Sequence, residues 1–322
     1  MGAHRGAAHP GVVQAVTKLE RRRLRLGLLF ISPWIAGFTV FLLGPAVLSF
    51  YYSLCDYSVL GPPIPIGAGN YADLVTDRIF FKSLWNTLVF GAMALPLTTF
   101  SSLALALMVQ SASKGRWFFR TVFFLPSVVP LVVLGVLWNW IFNGQFGLLN
   151  FCLEMVFSMT GLNELGLTNG PNWLGDPRTA KVALVMTALW GIGQPMVIYL
   201  AGLAEIDRAH YEVAIVEGAT WLQQSLYITI PRLSPLIYFN VIMGTIGVLQ
   251  VFAVPYVMMG AQGDPLRSTL FYLMYMFDQA FRKLNMGYAS AMAWLLFLVI
   301  ALLTFAAHKL TIRHVSYDDA SA

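Results

Sequence analysis

Of the amide side chains inside the long apolar stretches of this 322-residue sequence, four stand out: Asn86, Gln194, Asn240 and Gln250. Of the tryptophans in the same setting, Trp138, Trp190 and Trp294 are the candidate stacking rings. Amides form hydrogen bonds without carrying charge, and indole rings offer flat apolar faces. The set therefore suits contact with a neutral, hydroxyl-rich molecule. Each amide serves equally well in a hydrogen bond between helices, and each tryptophan as an interfacial anchor. Reactive constellations are missing from the sequence. The five histidines, His4, His9, His210, His308 and His314, have no metal-ligand spacing, and no nucleophile–base set is visible. The phosphate-loop pattern G-x-x-x-x-G-K-[ST] does not occur, nor does the dipeptide Gly-Lys. The chain is not expected to hydrolyse ATP by itself.

The elements that must hold these amides follow from where charge is missing. Only 11% of residues are charged and 58% are hydrophobic, and the mean hydropathy is +0.69. A soluble domain carries about 25% charged residues, so an ordinary soluble enzyme is excluded, as are disordered, collagenous and coiled-coil chains. Six windows hold no Asp, Glu, Lys or Arg: Leu26–Cys55, Ser83–Ser113, Thr121–Leu153, Val182–Ala204, Leu233–Gly263 and Leu284–His308. A helix of roughly 20 apolar residues crosses a bilayer core, so each window fits one crossing and not two. The bilayer leaves only helices or closed barrels, and barrel alternation is absent. The expected fold is an all-α integral membrane protein. Its six transmembrane helices lie near 28–52, 84–109, 121–142, 182–203, 236–258 and 288–308.

Thirteen of the twenty basic residues fall at the two ends and in the 110–120 and 204–235 loops. Positive charge concentrates on the cytoplasmic side, so both termini are expected inside. The run at 18–25 suits an anionic lipid surface better than nucleic acid. Residues 1–25 read as a basic cytoplasmic tail, 26–312 as the six-span domain and 313–322 as a second cytoplasmic tail. The first apolar run is too long for a cleavable signal and reads as an uncleaved anchor. Cys55 and Cys152 are expected to be free thiols. Residues 148–159 suggest a short interfacial helix. Seven prolines, Pro33, Pro45, Pro96, Pro126, Pro130, Pro195 and Pro255, fall within spans and predict bent helices.

The longest cytoplasmic loop, 204–235, reads as two short helices. Asp207 is positioned to cap a helix over 208–217, and Gly218 to end it. Thr220 and Gln223 form a T-x-x-Q capping box for a second helix to about Tyr227, with Pro231 as its stop. Tyr211, Ala214, Ile215, Ala219, Leu222 and Leu226 form an apolar strip, with Glu212 and Glu217 near its edge. The loop is too acidic to favour anionic lipid or DNA, which leaves a helix anchor in a protein groove.

This loop resembles the signature of ABC-importer permeases, E-A-A-x3-G-x9-I-x-L-P. Here it reads Glu212-Val213-Ala214-x3-Gly218-x9-Ile228-x-Ile230-Pro231, with apolar swaps at Val213 and Ile230. Glu217-Gly218-Ala219 stands where the family's sugar-type branch has Asp-Gly-Ala. Asn86-Thr87-Leu88, Phe119-Arg120-Thr121-Val122-Phe123-Phe124-Leu125-Pro126 and Phe146-Gly147-Leu148-Leu149-Asn150 are similar to that branch. So are Trp173-Leu174-Gly175-Asp176-Pro177, Tyr199-Leu200-Ala201-Gly202-Leu203 and Met286-Gly287-Tyr288-Ala289-Ser290-Ala291. The likeness covers roughly 26–312 and is strongest to permeases of maltose and glycerol-phosphate type.

The resemblance implies a type I importer permease in the bacterial inner membrane, working by alternating access. It implies that Glu212, Ala214, Glu217, Gly218, Ala219, Ile228 and Pro231 couple the chain to a cytoplasmic ATPase dimer. The other implied partners are a second homologous permease and a periplasmic or lipid-anchored solute-binding protein. ATP and magnesium then belong to the ATPase, and the chain itself is expected to bind no cofactor and no nucleic acid. Gln250, Gln194, Asn240, Asn86 and Trp190 are the candidate residues of a path for a sugar, oligosaccharide or polyol, with Gln250 foremost. The alternative is a stand-alone channel or secondary transporter. The spans carry no carboxylate, Lys or Arg, which disfavours it, because ion-coupled machines keep such groups at membrane depth.

Overall fold

The computed structural model describes residues 18–111, 114–160 and 170–311. The tail before Lys18 and the expected tail at 313–322 lie outside the described residues. Two compact units divide at Tyr51 and Tyr52.

The first unit is one apolar stretch. Helix α1 (Lys18–Phe38) passes through a π turn (Thr39–Leu43) into α2 (Gly44–Ser53). Its part from Arg22 to Ser53 holds an 18-residue stretch of mean hydropathy 2.1 and is long enough to span a membrane. The basic residues of 18–25, expected in a polar tail, belong to α1. Lys, Leu, Glu and Arg are all strong helix formers, and no Gly or Pro interrupts them.

The second unit opens with a two-residue antiparallel ladder, β1 (Cys55–Asp56) on β2 (Ile64–Pro65). Helix α3 (Gly69–Thr76) is pinned to it: Asn70 Nδ2 donates to the Ser53 and Cys55 carbonyls at 2.9 and 2.8 Å. Helix α4 (Arg78–Ser111) then runs 34 residues without a break, with Pro96 inside it.

The third span, expected as one helix, is broken. Helix α5 (Arg116–Phe124), a 3₁₀ turn (Leu125–Val128) and α6 (Leu131–Ile141) meet at a 98° bend. Pro130 caps α6 in extended conformation (ψ 138°). It has no N–H with which to continue the preceding turn, and it forces Val129 out of the helical region.

After α7 (Leu148–Thr160), the fourth span is α8 (Ala180–Leu189) and α9 (Gly193–Glu205), bent by 40°. Gly193 sits at that bend against α5. A Cβ there would lie 2.1 Å from the Phe123 carbonyl oxygen, so only glycine permits the approach.

The loop helices α10 (Arg208–Val216), α11 (Trp221–Gln224) and α12 (Ile230–Arg232) lead to the fifth span. That span is α13 (Ser234–Leu249), a break at Gln250–Phe252, and α14 (Ala253–Met259) with Pro255 in its first turn. Helix α15 (Tyr272–Phe277) and a π turn (Asp278–Arg282) precede α16 (Met286–Thr311).

Among the described residues, four helical stretches are long and apolar enough to cross a membrane, and the two bent pairs, each taken as one span, bring the number to six. Helix α4 is the axis of the second unit, packed by α8, α9, α13 and α15. One apolar core gathers Phe80, Phe90, Phe142, Phe271, Tyr272 and Met292. A smaller one, Ala106, Met196, Tyr199, Leu200, Leu203 and Leu233, joins α4 and α9 to the foot of the loop helices.

Candidate functional site

The loop helices form a closed hairpin. The Asp207 carboxylate accepts the Ala209 N–H at 3.0 Å, which starts α10. At the other end Gly218 adopts φ +82°. Its N–H donates to the Ile215 carbonyl at 3.0 Å, and the Ala219 N–H to the Ala214 carbonyl at 2.9 Å. This pair of bonds is a Schellman closure, which satisfies the last carbonyls of the helix. A Cβ at Gly218 would meet nothing within 4 Å, so the demand for glycine comes from the backbone and not from space.

The second helix starts on the expected capping box. The Thr220 N–H donates to Gln223 Oε1 at 2.8 Å, and the Gln223 N–H returns to Thr220 Oγ1 at 3.4 Å. Pro231 does not stop this helix. Residues 225–229 form a π turn, and Pro231 enters α12 at its N-terminal end, where a missing N–H costs no bond. Two contacts lock the helices together: Tyr211 Oη lies 2.9 Å from Thr229 Oγ1, and Gln224 Nε2 donates to the Ala219 carbonyl at 3.0 Å.

Of the apolar strip, Ala214 is buried, and Ile215, Leu222 and Leu226 are exposed. Val216 and Tyr227, exposed at 88% and 77%, extend the apolar surface beyond that strip. A shallow pocket of about 370 Å³ is lined by Ala214, Glu217, Gly218, Ala219, Tyr227 and Ile228. Five of the seven coupling candidates therefore meet around one depression. Glu212 is exposed on α10 and Pro231 half-buried in α12, both outside it. An exposed apolar surface edged by carboxylates is the form of an anchor for a protein groove.

A second depression, a cavity of about 340 Å³, lies between α4, α9 and α13. Its polar lining is Thr98, Thr99, Ser102, Gln194 and Asn240, and no charged residue lines it. Thr98 Oγ1 donates to the Ala94 carbonyl at 2.8 Å and Ser102 Oγ to the Thr99 carbonyl at 3.0 Å. These hydroxyls then present lone pairs to whatever enters. Gln194 and Asn240 are brought together here. The three hydroxyls were missed by the reading of amides alone, although their clustering on one turn of an apolar helix is visible in the sequence.

The other three path candidates lie elsewhere. Gln250 is exposed at the break that ends α13. Trp190 sits at the α8–α9 bend with its ring edge-on to Trp138, centroids 5.6 Å apart. Asn86 is buried, and its Nδ2 donates to the Arg267 and Leu270 carbonyls at 2.9 and 3.0 Å. It fastens the 263–270 loop to α4.

Near the opposite end of α4 from the hairpin, Asp77 fastens three more segments. Its Oδ2 accepts from Tyr275 and Tyr288, and its Oδ1 accepts the Ile79 N–H at 2.7 Å. Burial alone would raise this carboxyl; together the hydrogen bonds from Tyr275, Tyr288 and the Ile79 and Phe80 backbone outweigh it and hold the group below its ordinary 3.8. The Tyr275 hydroxyl is pushed up to about 12, first by burial and then by Asp77. Cys55 is buried and Cys152 exposed, and no disulfide joins the two. No group of three His, Cys, Asp or Glu able to hold a metal occurs among the described residues.

Residues 98–317 match the family described as binding-protein-dependent transport system inner membrane component. The chain is 35% identical to the probable ABC transporter permease protein YesP of Bacillus subtilis, over 91% of this chain and 92% of the relative. It is 34% identical to the lactose transport system permease protein LacF of Rhizobium radiobacter, over 87% and 91%. It is 30% identical to the trehalose/maltose transport system permease protein MalF of Thermococcus litoralis, over 88% and 92%. The fold matches that of a chain in the crystal structure of a bacterial ABC transporter that imports the acidic polysaccharide alginate. The TM-score is 0.77 at 21% identity, covering 93% of this chain and all of the other.

Proposed function

Because the chain belongs to the family of binding-protein-dependent transport system inner membrane components, we propose that it forms the path by which a sugar, oligosaccharide or polyol enters the cell. It is a multi-pass membrane transport subunit and not itself an enzyme. The observation that carries the solute class is the 340 Å³ cavity, whose polar lining is hydroxyl and amide without charge. Neutral donors and acceptors match a hydroxyl-rich solute, and no fixed charge lines the cavity to balance that of an ion. Relatives named for lactose and for trehalose/maltose support the same class.

In this proposal the hairpin 207–233 faces the cytoplasm, as do both termini, and docks in a groove of a partner ATPase dimer. The ATPase holds ATP and magnesium. A second permease completes the path, and a solute-binding protein delivers the solute from outside. The exposed apolar surface with its carboxylate rim on the hairpin supports the docking role. The basic residues at the hairpin end support the orientation.

The test is reconstitution with the neighbouring gene products. Liposomes holding this chain, a second permease and the ATPase, supplied with the binding protein and ATP, should accumulate a labelled oligosaccharide. Uptake by this chain alone, without ATP, would point to the stand-alone transporter instead.

A further inference from the structure

We infer that a third cavity, of about 440 Å³ and distinct from the docking pocket and the solute cavity, is a phosphate-binding site. It lies between the ends of α4 and α9, the start of α5, and the hairpin. Three guanidinium-bearing residues line it: Arg116 and Arg120 from α5 and Arg208 from α10. Gln110, Tyr211 and Trp221 add neutral donors. Among the described lining residues none is a carboxylate, and Arg120 and Arg208 alone bring two positive charges to the wall.

Arg120 gives the independent sign of a missing ligand. Its Nε is buried and has no hydrogen-bond partner among the described residues. A buried donor left unmade costs free energy, and a charged one more, so such an atom calls for an acceptor. A guanidinium fork matches a phosphate group with two parallel bonds, and a phosphate has enough oxygens to serve several forks at once. A neutral sugar hydroxyl would leave the charge unanswered. The proposed ligand is therefore a phosphate, either the headgroup of an anionic phospholipid or a soluble phosphate.

The position gives the site a consequence. Arg208 stands in the first turn of α10, and Arg116 and Arg120 on α5, which packs against α9. A phosphate held by all three bridges the hairpin to the spans, and its occupancy sets how freely the hairpin moves. A lipid source rests on the cytoplasmic orientation proposed above, where the cavity lies at the level of the inner headgroups.

The full chain in detergent, stripped of lipid, provides the test. Thermal unfolding is followed against added phosphatidylglycerol, phosphatidylcholine and inorganic phosphate. Stabilisation by phosphatidylglycerol alone supports the lipid source, and stabilisation by inorganic phosphate the soluble one. Either response should need about tenfold or more ligand in the Arg120→Gln variant, since one charge-assisted fork is lost. Arg120→Lys, which keeps the charge without the fork, should fall between. If Arg120→Gln fails to fold, the exposed Arg208→Gln serves in its place. A substitution at Arg22, remote in sequence from this cavity, should leave the response intact. No response to either ligand, or the same response in Arg120→Gln and Arg208→Gln, overturns the site. So does its loss on adding the partner ATPase with a cross-link from Arg208 to an ATPase carboxylate, which makes the cavity a protein interface. Orientation is read separately, by labelling Ala209→Cys in intact cells with an impermeant maleimide. Outside labelling defeats the cytoplasmic assignment while leaving inorganic-phosphate binding untouched.

Discussion

The Tyr211 hydroxyl lies 2.9 Å from the Thr229 hydroxyl and joins the first helix of the hairpin to the π turn of the second. The two residues are eighteen apart in sequence, and Thr229 is buried. In the proposed docking, this contact would carry a push on α10 to α12 and the start of the fifth span. Tyr211→Phe keeps the ring and removes the bond, which is worth about 1 kcal/mol. Uptake per ATP hydrolysed should fall severalfold in proteoliposomes, with an unchanged yield of folded chain. Unaltered coupling would show that the hairpin transmits force by packing alone.

Gly218 yields a graded series. A non-glycine residue in the left-handed region costs about 1–2 kcal/mol, least for Asn. Nothing surrounds a Cβ there, so the ranking follows backbone preference and not size. Uptake should decline in the order Gly, Asn, Ala, Val. Gly218→Pro should abolish it while the protein stays in the membrane, because proline denies both the positive φ and the bond to Ile215. A ranking by side-chain volume would refute this account.

Asn86 and the pair Gln194 and Asn240 are the same kind of residue in different employment. Gln194→Leu or Asn240→Leu should raise the KM for uptake about tenfold, the worth of one lost solute hydrogen bond near 1.4 kcal/mol. Asn86→Leu leaves the carbonyls of Arg267 and Leu270 without their donor. It should destabilise the fold by about 2–3 kcal/mol, seen as a lower unfolding temperature, with KM unchanged in the molecules that remain folded. An Asn86→Leu protein of normal stability and raised KM would move this residue back to the solute path.

Asp77 makes stability depend on acid. Its folded carboxyl is held below 3.8, so as the pH falls the unfolded chain takes up the proton first. The stabilisation is whole above the ordinary carboxylate value and is lost as the pH drops through the lower folded one. Asp77→Asn should flatten the part of the acid unfolding curve below about pH 4 in detergent. An identical curve for the variant would deny Asp77 that role. Tyr275, at about 12, remains a donor to Asp77 throughout the neutral range.

The sequence discloses the hairpin almost whole, because its stabilising contacts are local. Asp207 caps two residues away, Thr220 and Gln223 cap each other, and Gly218 turns the chain by its own backbone. It misplaces the stop at Pro231, since a π turn upstream leaves that proline at a helix start. The role of Asn86 is hidden for a different reason: its partners lie 181 and 184 residues away. Likewise Asp77 meets Tyr275 and Tyr288 only after the chain has returned across the bundle. Prolines foretell that the third span bends, but not that the bend reaches 98°. Of the path residues, Gln194 and Asn240 converge because α9 and α13 both pack on α4, which no spacing within either helix reveals.

Three spans are interrupted along their length: at Val129–Pro130, at Trp190–Ile192 and at Gln250–Phe252. A break in the helical ladder is where a backbone oxygen can lose its usual partner, and in hydrocarbon any that does must find another polar one. Water, or a molecule that imitates water, can supply it. A sugar moving past such places need not be stripped of its hydration in one step. It trades water molecules for backbone oxygens a few at a time, and the energetic barrier is divided among several small exchanges.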